Sequence, residues 1–341
     1  MPRRTTFRLA NAHTVGTKQM KQGRNHMLKI TPEFPSRRLA AALVLSVSGL
    51  ISCASLDTKQ GQWIFSPSDR TWGDSSVVAG RMQEAYIDFA SDVTGKPAKL
   101  HTLIDPASKD EAVNASAPVL LYLHGARWNV NGSAYRIQRM QELGFTVVAP
   151  DYRGFGKTSS ETPSEKMAFE DAFESWKWVA KKYPNQPRYI FGHSLGGAIA
   201  IDLASKVTDE AGTIVEGTFT SIPDVVATMA WGWLPVSMLI TQRFESWRKV
   251  ANIGSPLLVV HGANDSTIKP ELGRKLFDAA AEPKKFVLVE GGSHHNTNSI
   301  GQGAYRKALA EMFGLGTGTG VGTGVGTGVR TTPKPALALG S

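Results

Sequence analysis

A chain of 341 residues, 41% of them hydrophobic, is long enough for one large α/β domain or two smaller ones and has an ordinary globular composition. Its net charge of +9 does not mark a nucleic-acid binder, because residues 1–52 hold nine Lys/Arg against the single acid Glu33 and so carry eight of those nine charges. The only cysteine, Cys53, excludes an internal disulfide.

From the N-terminus, Arg37-Arg38 precedes the uncharged run Leu39 to Ser52, which has the form of an export signal and is too short to span a bilayer. The run ends at Leu50-Ile51-Ser52-Cys53, which resembles the lipobox of bacterial lipoproteins. That resemblance implies removal of residues 1–52 and lipidation of Cys53, with enough acyl chains for stable membrane anchoring. Ala54 is not the acid that retains such proteins at the inner membrane, which implies the outer membrane of a bacterial cell envelope, facing the periplasm. Residues 1–26 are unusual for such a leader, which makes Met27 an alternative start. Residues 53–80 are polar and turn-rich and read as a tether with some local structure.

Apolar runs then alternate with helical patterns, the signature of a mostly parallel sheet covered on both faces. Strands are expected at Met82 to Phe89, Lys99 to Ile104, Val119 to Leu123, Phe145 to Pro150, Arg188 to Phe191, Thr213 to Thr218, Leu257 to Val260 and Phe286 to Val289. Helices are expected at Ala134 to Leu143, Ser164 to Lys182, Gly197 to Val207, Pro270 to Ala281 and Gln302 to Phe313. These elements make one domain over 81–313. Within it the segment from about 222 to 250, with Met229, Trp231, Trp233, Leu234, Met238 and Leu239, reads either as a cap over a pocket or as a helix packed on the core. The Gly/Thr/Val repeats of 314–341 cannot bury enough apolar surface to offset their ordering entropy and are expected to be a disordered tail.

Gly192-His193-Ser194-Leu195-Gly196 stands between an apolar strand and a helix, the setting of a nucleophile elbow. A serine hydroxyl needs a base to take its proton and a third group to orient that base. Downstream, the strand from Leu257 ends at His261-Gly262-Ala263-Asn264-Asp265, and the strand from Phe286 ends at Gly291-Gly292-Ser293-His294-His295. Both motifs follow strand C-termini, where open α/β sheets place their sites. Only one of two successive histidines can face Ser194, and the count from Gly292 selects His294.

From about Leu100 to Phe313 the chain resembles the α/β-hydrolase superfamily, closest to the BEM46-like serine hydrolases. The motifs that carry this are Leu121-Tyr122-Leu123-His124-Gly125, Pro150-Asp151-Tyr152-Arg153-Gly154-Phe155-Gly156, the serine elbow, Phe219-Thr220-Ser221-Ile222-Pro223, the Asp265 turn and Gly292-Ser293-His294. The resemblance implies an α/β-hydrolase fold with a mostly parallel eight-stranded sheet, helices on both faces and a short helical cap. It also implies Ser194 as nucleophile, Asp265 as acid and His294 as base. Backbone N–H groups of Leu195 and Ala126 would form the oxyanion hole. Two departures stand out: Ala126 where the family often has asparagine, and His295 where asparagine is usual. Asp151 and Arg153 are expected to form an internal ion pair. Arg127 and Trp128 either shape the pocket mouth or face solvent. No metal and no cofactor are expected. The leading expectation is a hydrolase of small-molecule carboxylic esters working through an acyl-enzyme. The alternatives are a serine peptidase or amidase, and a non-catalytic envelope binding protein.

Overall fold

The computed structural model describes residues 55–70, 73–229 and 239–316. The expected leader, Cys53, the tail beyond residue 316 and the cap residues Trp231, Trp233, Leu234 and Met238 lie outside the described residues.

Eight strands form one sheet: β1 (Gln83–Ala90), β2 (Pro97–Asp105), β3 (Val119–Leu123), β4 (Thr146–Pro150), β5 (Arg188–His193), β6 (Gly212–Glu216), β7 (Leu257–Gly262) and β8 (Lys284–Val289). Their order is β1-β2-β4-β3-β5-β6-β7-β8. β2 pairs antiparallel with β1 and with β4, and every pair from β4 across to β8 is parallel. β3, β4, β6 and β7 are buried along their whole length, as continuous apolar runs must be in a parallel sheet covered on both sides.

The period of two sorts each strand between two cores. Val119, Leu121 and Leu123 of β3 share one core with residues of the helices Glu165–Lys182, Leu195–Ala204 and Pro270–Ala279, whereas Leu120 and Tyr122 share the other with residues of the helices Ser75–Ala79, Ala134–Gln141 and Gln302–Phe313. The strands run further than their apolar residues suggest. The ladder carries β5 through His193, opposite Glu216, and β7 through Gly262, opposite Val289, so both deliver their motifs straight from the sheet. The chain leaves β3 toward β4 on one side and returns to β5 on the other. The crevice beyond the C-termini of β3 and β5 is therefore the topological switch point, where such sheets bind ligands.

Two expectations are corrected. The supposed tether is part of the domain: residues 55–65 are helical, and fully buried Phe65 packs edge-on to Phe155 and Phe244, with ring centroids at 6.2 and 5.8 Å. Nor do Asp151 and Arg153 pair with each other. Fully buried Arg153 binds Asp171 at 2.6 Å and Glu170 at 2.5 Å, while Asp151 serves His124, His101 and the Val130 amide.

Candidate active site

Ser194 sits where β5 breaks into the helix Leu195–Ala204, with φ 56° and ψ −121°. A side chain held at positive φ costs about 1–3 kcal/mol and persists only where its surroundings dictate it. Here the Ser194 amide donates to the Glu216 carbonyl at 2.9 Å, and its carbonyl accepts from the Gly197 amide and the Thr218 hydroxyl, each at 2.9 Å. Gly192 is required for the same reason, since a Cβ there would overlap the Gly196 carbonyl.

The three separated motifs converge on this turn. Asp265 Oδ1 accepts from the Thr267 and Ile268 amides at 2.9 and 2.8 Å, leaving Oδ2 to His294 Nδ1 at 2.7 Å. Burial pushes the Asp265 carboxyl up, but the His294 hydrogen bond and charge, the Ile268 amide and His261 outweigh it and hold the carboxyl below its ordinary value. The carboxylate can then only accept, so His294 Nδ1 carries a proton and the ring's Nε2 faces Ser194 Oγ, 3.0 Å away. His295 stands perpendicular to His294, ring centroids 5.4 Å apart, and makes neither contact. His261 donates from Nε2 to the Ile268 carbonyl at 3.0 Å and steadies the Asp265 turn.

The loop after β3 forms the facing wall. A Cβ on Gly125 would come within 3.2 Å of the Ser194 Cβ, so this loop lies directly on the serine. Ala126 and Leu195 line the same cleft, and Leu195 opens its helix, where the N–H groups have no intrahelical acceptor. Arg127 and Trp128 both have positive φ, 72° and 58°. They are held by the end of the 55–65 helix: the Arg127 amide donates to the Phe65 carbonyl at 2.7 Å, and the Ser68 amide to the Trp128 carbonyl at 3.2 Å. The cleft has a volume of about 300 Å³. Its apolar side is Ile64, Phe219, Ile222, Val225, Val226 and Met229; its polar side includes Arg127, Arg136 and His295.

Several functional contacts were not foreseen. His193, the second residue of the elbow, donates from Nε2 to the His294 carbonyl at 3.1 Å. Burial, then the Arg136 guanidinium and His294, keep its ring neutral by holding its pKa well below the ordinary value. Beneath it, Glu216 accepts from Arg136 Nε at 3.1 Å and from the Tyr305 hydroxyl, and Arg136 reaches the His295 carbonyl at 3.4 Å. These residues are about 80 to 160 positions apart, so no local pattern announces them.

Fold and site together define an α/β hydrolase. Residues 114–245 match the family profile Hydrolase_4, described as serine aminopeptidase. Among curated proteins, lysophosphatidylserine lipase ABHD12 of Danio rerio is 32% identical over 51% of this chain, and the chain spans only 50% of that protein. An uncharacterised protein of Mycobacterium tuberculosis (strain CDC 1551 / Oshkosh) is 31% identical over 59% of this chain, covering 73% of its own length. Among solved structures, a Pyrococcus furiosus esterase aligns with TM-score 0.55 and 16% identity over 72% of this chain and 95% of the esterase. An acylaminoacyl peptidase of Pyrococcus horikoshii gives 0.52 and 15% over 68% and 42%; at such identities both show the shared fold. The chain belongs to the α/β-hydrolase superfamily.

Proposed function

We propose that this protein is a serine-dependent hydrolase of carboxylic esters. One observation carries the reading: a single imidazole bridges Ser194 Oγ and the Asp265 carboxylate at 3.0 and 2.7 Å. Ser194 attacks the ester carbonyl while His294 Nε2 takes its proton, and Asp265 stabilises the imidazolium. His294 then protonates the departing alkoxide, and water attacks the acyl-enzyme by the reverse sequence. The oxyanion faces the backbone N–H groups of Leu195 and Ala126; one such donor is typically worth about 10²–10³ in turnover.

The family profile's description favours a second reading, cleavage of an amino-terminal residue. That substrate carries an ammonium group, which requires a carboxylate at its end of the cleft. Among the described residues no Asp or Glu lines the cleft, whereas two arginines do. Apolar walls joined to cationic groups suit an acyl ester, in keeping with the relative described as a lysophosphatidylserine lipase.

Labelling with a fluorophosphonate should place an adduct on Ser194 of the folded protein. Ser194→Ala should lose the adduct and about 10⁴–10⁶ in ester turnover, with the melting temperature nearly unchanged. Near-wild-type turnover in that variant would remove Ser194 as nucleophile.

We further propose lipid anchoring at Cys53 in a bacterial envelope, with the outer membrane as its place. Leu50-Ile51-Ser52-Cys53 and the absence of any second cysteine support it. Mass spectrometry of the native N-terminus tests this, and an unmodified Cys53 removes the anchor.

A further inference from the structure

We infer that the mouth of the cleft is the face by which this protein lies on an anionic phospholipid bilayer, and that its substrate is an acyl ester drawn from that bilayer. The second half rests on the ester-hydrolase reading; the first stands without it.

The helix at 55–65 turns Asp57, Gln60, Gly61, Ile64 and Phe65 toward the domain, at the spacing of one helical face. Asp57 and Gln60 hold the segment at 239–242: Gln60 donates to the Leu239 carbonyl at 2.6 Å, and Asp57 accepts from Thr241 and Gln242 at 2.6 and 2.7 Å. The opposite face leaves Leu56 and Trp63 outside, 38% and 67% exposed and seven residues apart. Leu239 stands beside this helix at 62% exposure, and Met229, at 50%, lines the cleft with Trp63. Trp63 and Met229 at the opening, with Leu56 and Leu239 on the helix and segment that adjoin it, differ from the scattered singles of an ordinary surface.

Two observations identify what covers them. Lys59 shares the outward face with Leu56 and Trp63, and Arg127 is exposed in the cleft wall. Basic groups flanking apolar ones suit anionic headgroups over acyl chains, with a tryptophan ring at headgroup depth. The second is the reach of the chain. From residue 55 to Trp63 the helix rises about 12 Å. The two residues before it, back to Cys53, add at most about 7 Å. A lipid at Cys53 would therefore hold the cleft mouth within about 20 Å of the anchored residue, less than the thickness of a bilayer. Among the described residues no helix is long and apolar enough to cross a membrane, so the contact proposed is peripheral.

The test uses the mature chain, residues 53–341, carrying Cys53→Ala, so that the basic leader is absent, no acyl anchor forms and no native thiol remains. Leu239→Cys in one protein and Val113→Cys in another carry an environment-sensitive fluorophore. Val113 is 48% exposed in the helix Glu111–Ser116, which precedes the N-terminal end of β3, away from the cleft. Vesicles of phosphatidylglycerol and phosphatidylcholine bearing a doxyl quencher should blue-shift and quench the label at 239 and leave the label at 113 unchanged. Equal responses at both positions, or none at 239, overturn the proposal. Leu56→Glu combined with Leu239→Glu, both outside the cleft lining, should weaken vesicle partitioning at least about tenfold. Hydrolysis of a water-soluble p-nitrophenyl ester by that variant should stay at the parent rate, and unchanged partitioning would overturn the docking face. Oriented binding by a protein that hydrolyses no ester would overturn the substrate half alone.

Discussion

Asp265–His294 and Asp151–His124 both lie at the C-terminal ends of this sheet, and of these two pairs only the first reaches a serine hydroxyl. Asp265 and His294 meet at 2.7 Å, and the ring's other nitrogen opens on Ser194 Oγ in the cleft. Asp151 and His124 meet at 3.2 Å, but His124 spends its Nδ1 on the Gly125 carbonyl at 2.8 Å, and both side chains are almost wholly buried. Asp151 Oδ1 also accepts the Val130 amide at 2.6 Å. The second pair thus ties together the two ends of the loop that carries Ala126. The same two residue types either move a proton or hold a backbone, and what decides is whether the far nitrogen meets a reactive hydroxyl or a carbonyl.

Substitutions should separate the two roles. Asp265→Asn should leave His294 in the wrong tautomer and lower ester turnover by about 10⁴, a loss read directly from kcat. Asp151→Asn should act the other way round. Weakening a buried carboxylate that serves two histidines and an amide should cost about 1–3 kcal/mol of stability in a denaturant melt. Slackening the loop should lower turnover by no more than about 10². A kcat loss as large as that of Asp265→Asn would abolish the distinction.

Acid titration gives a smaller and shared effect. Burial raises both carboxyls, but it is outweighed: at Asp151 by the neighbouring His101 and His124 rings and by the Val130 amide, at Asp265 chiefly by His294. Both therefore titrate lower in the fold than in the unfolded chain. The stability they contribute is complete above the unfolded value near about pH 4 and is lost as pH falls through the depressed folded values. Melting temperatures recorded downward from pH 5 should fall less steeply in either asparagine variant than in the parent. The smallest effect belongs to His295→Ala, which removes a ring that touches neither Ser194 nor Asp265 and should change kcat by only a few-fold.

What the sequence announced and what it concealed divide along physical lines. Strands β3 to β7 were legible because continuous apolar runs between glycine turns have few other uses, and the helix Gln302–Phe313 was legible from its spacing. The meeting of Ser194, Asp265 and His294 was legible because each follows a strand end in a short motif. The 55–65 helix was hidden because its inward stripe contains Asp57 and Gln60, polar residues that find partners at 239–242, and Gly61, which lies against Pro163. The partners of Arg153 were hidden for a related reason. A buried guanidinium takes whichever carboxylates the helix Glu165–Lys182 brings to it, and that choice is made by packing.

The hydrogen bond from the Arg127 amide to the Phe65 carbonyl has a practical consequence for anyone trimming the polypeptide to obtain a soluble enzyme. A cut placed at the first strand discards what looks like dispensable leader, and with it the Phe65 ring and the acceptor that steadies two residues in left-handed geometry. The product would keep Ser194, Asp265 and His294 but lose the support of the loop that lies on the serine. A shortened version should therefore begin no later than residue 55.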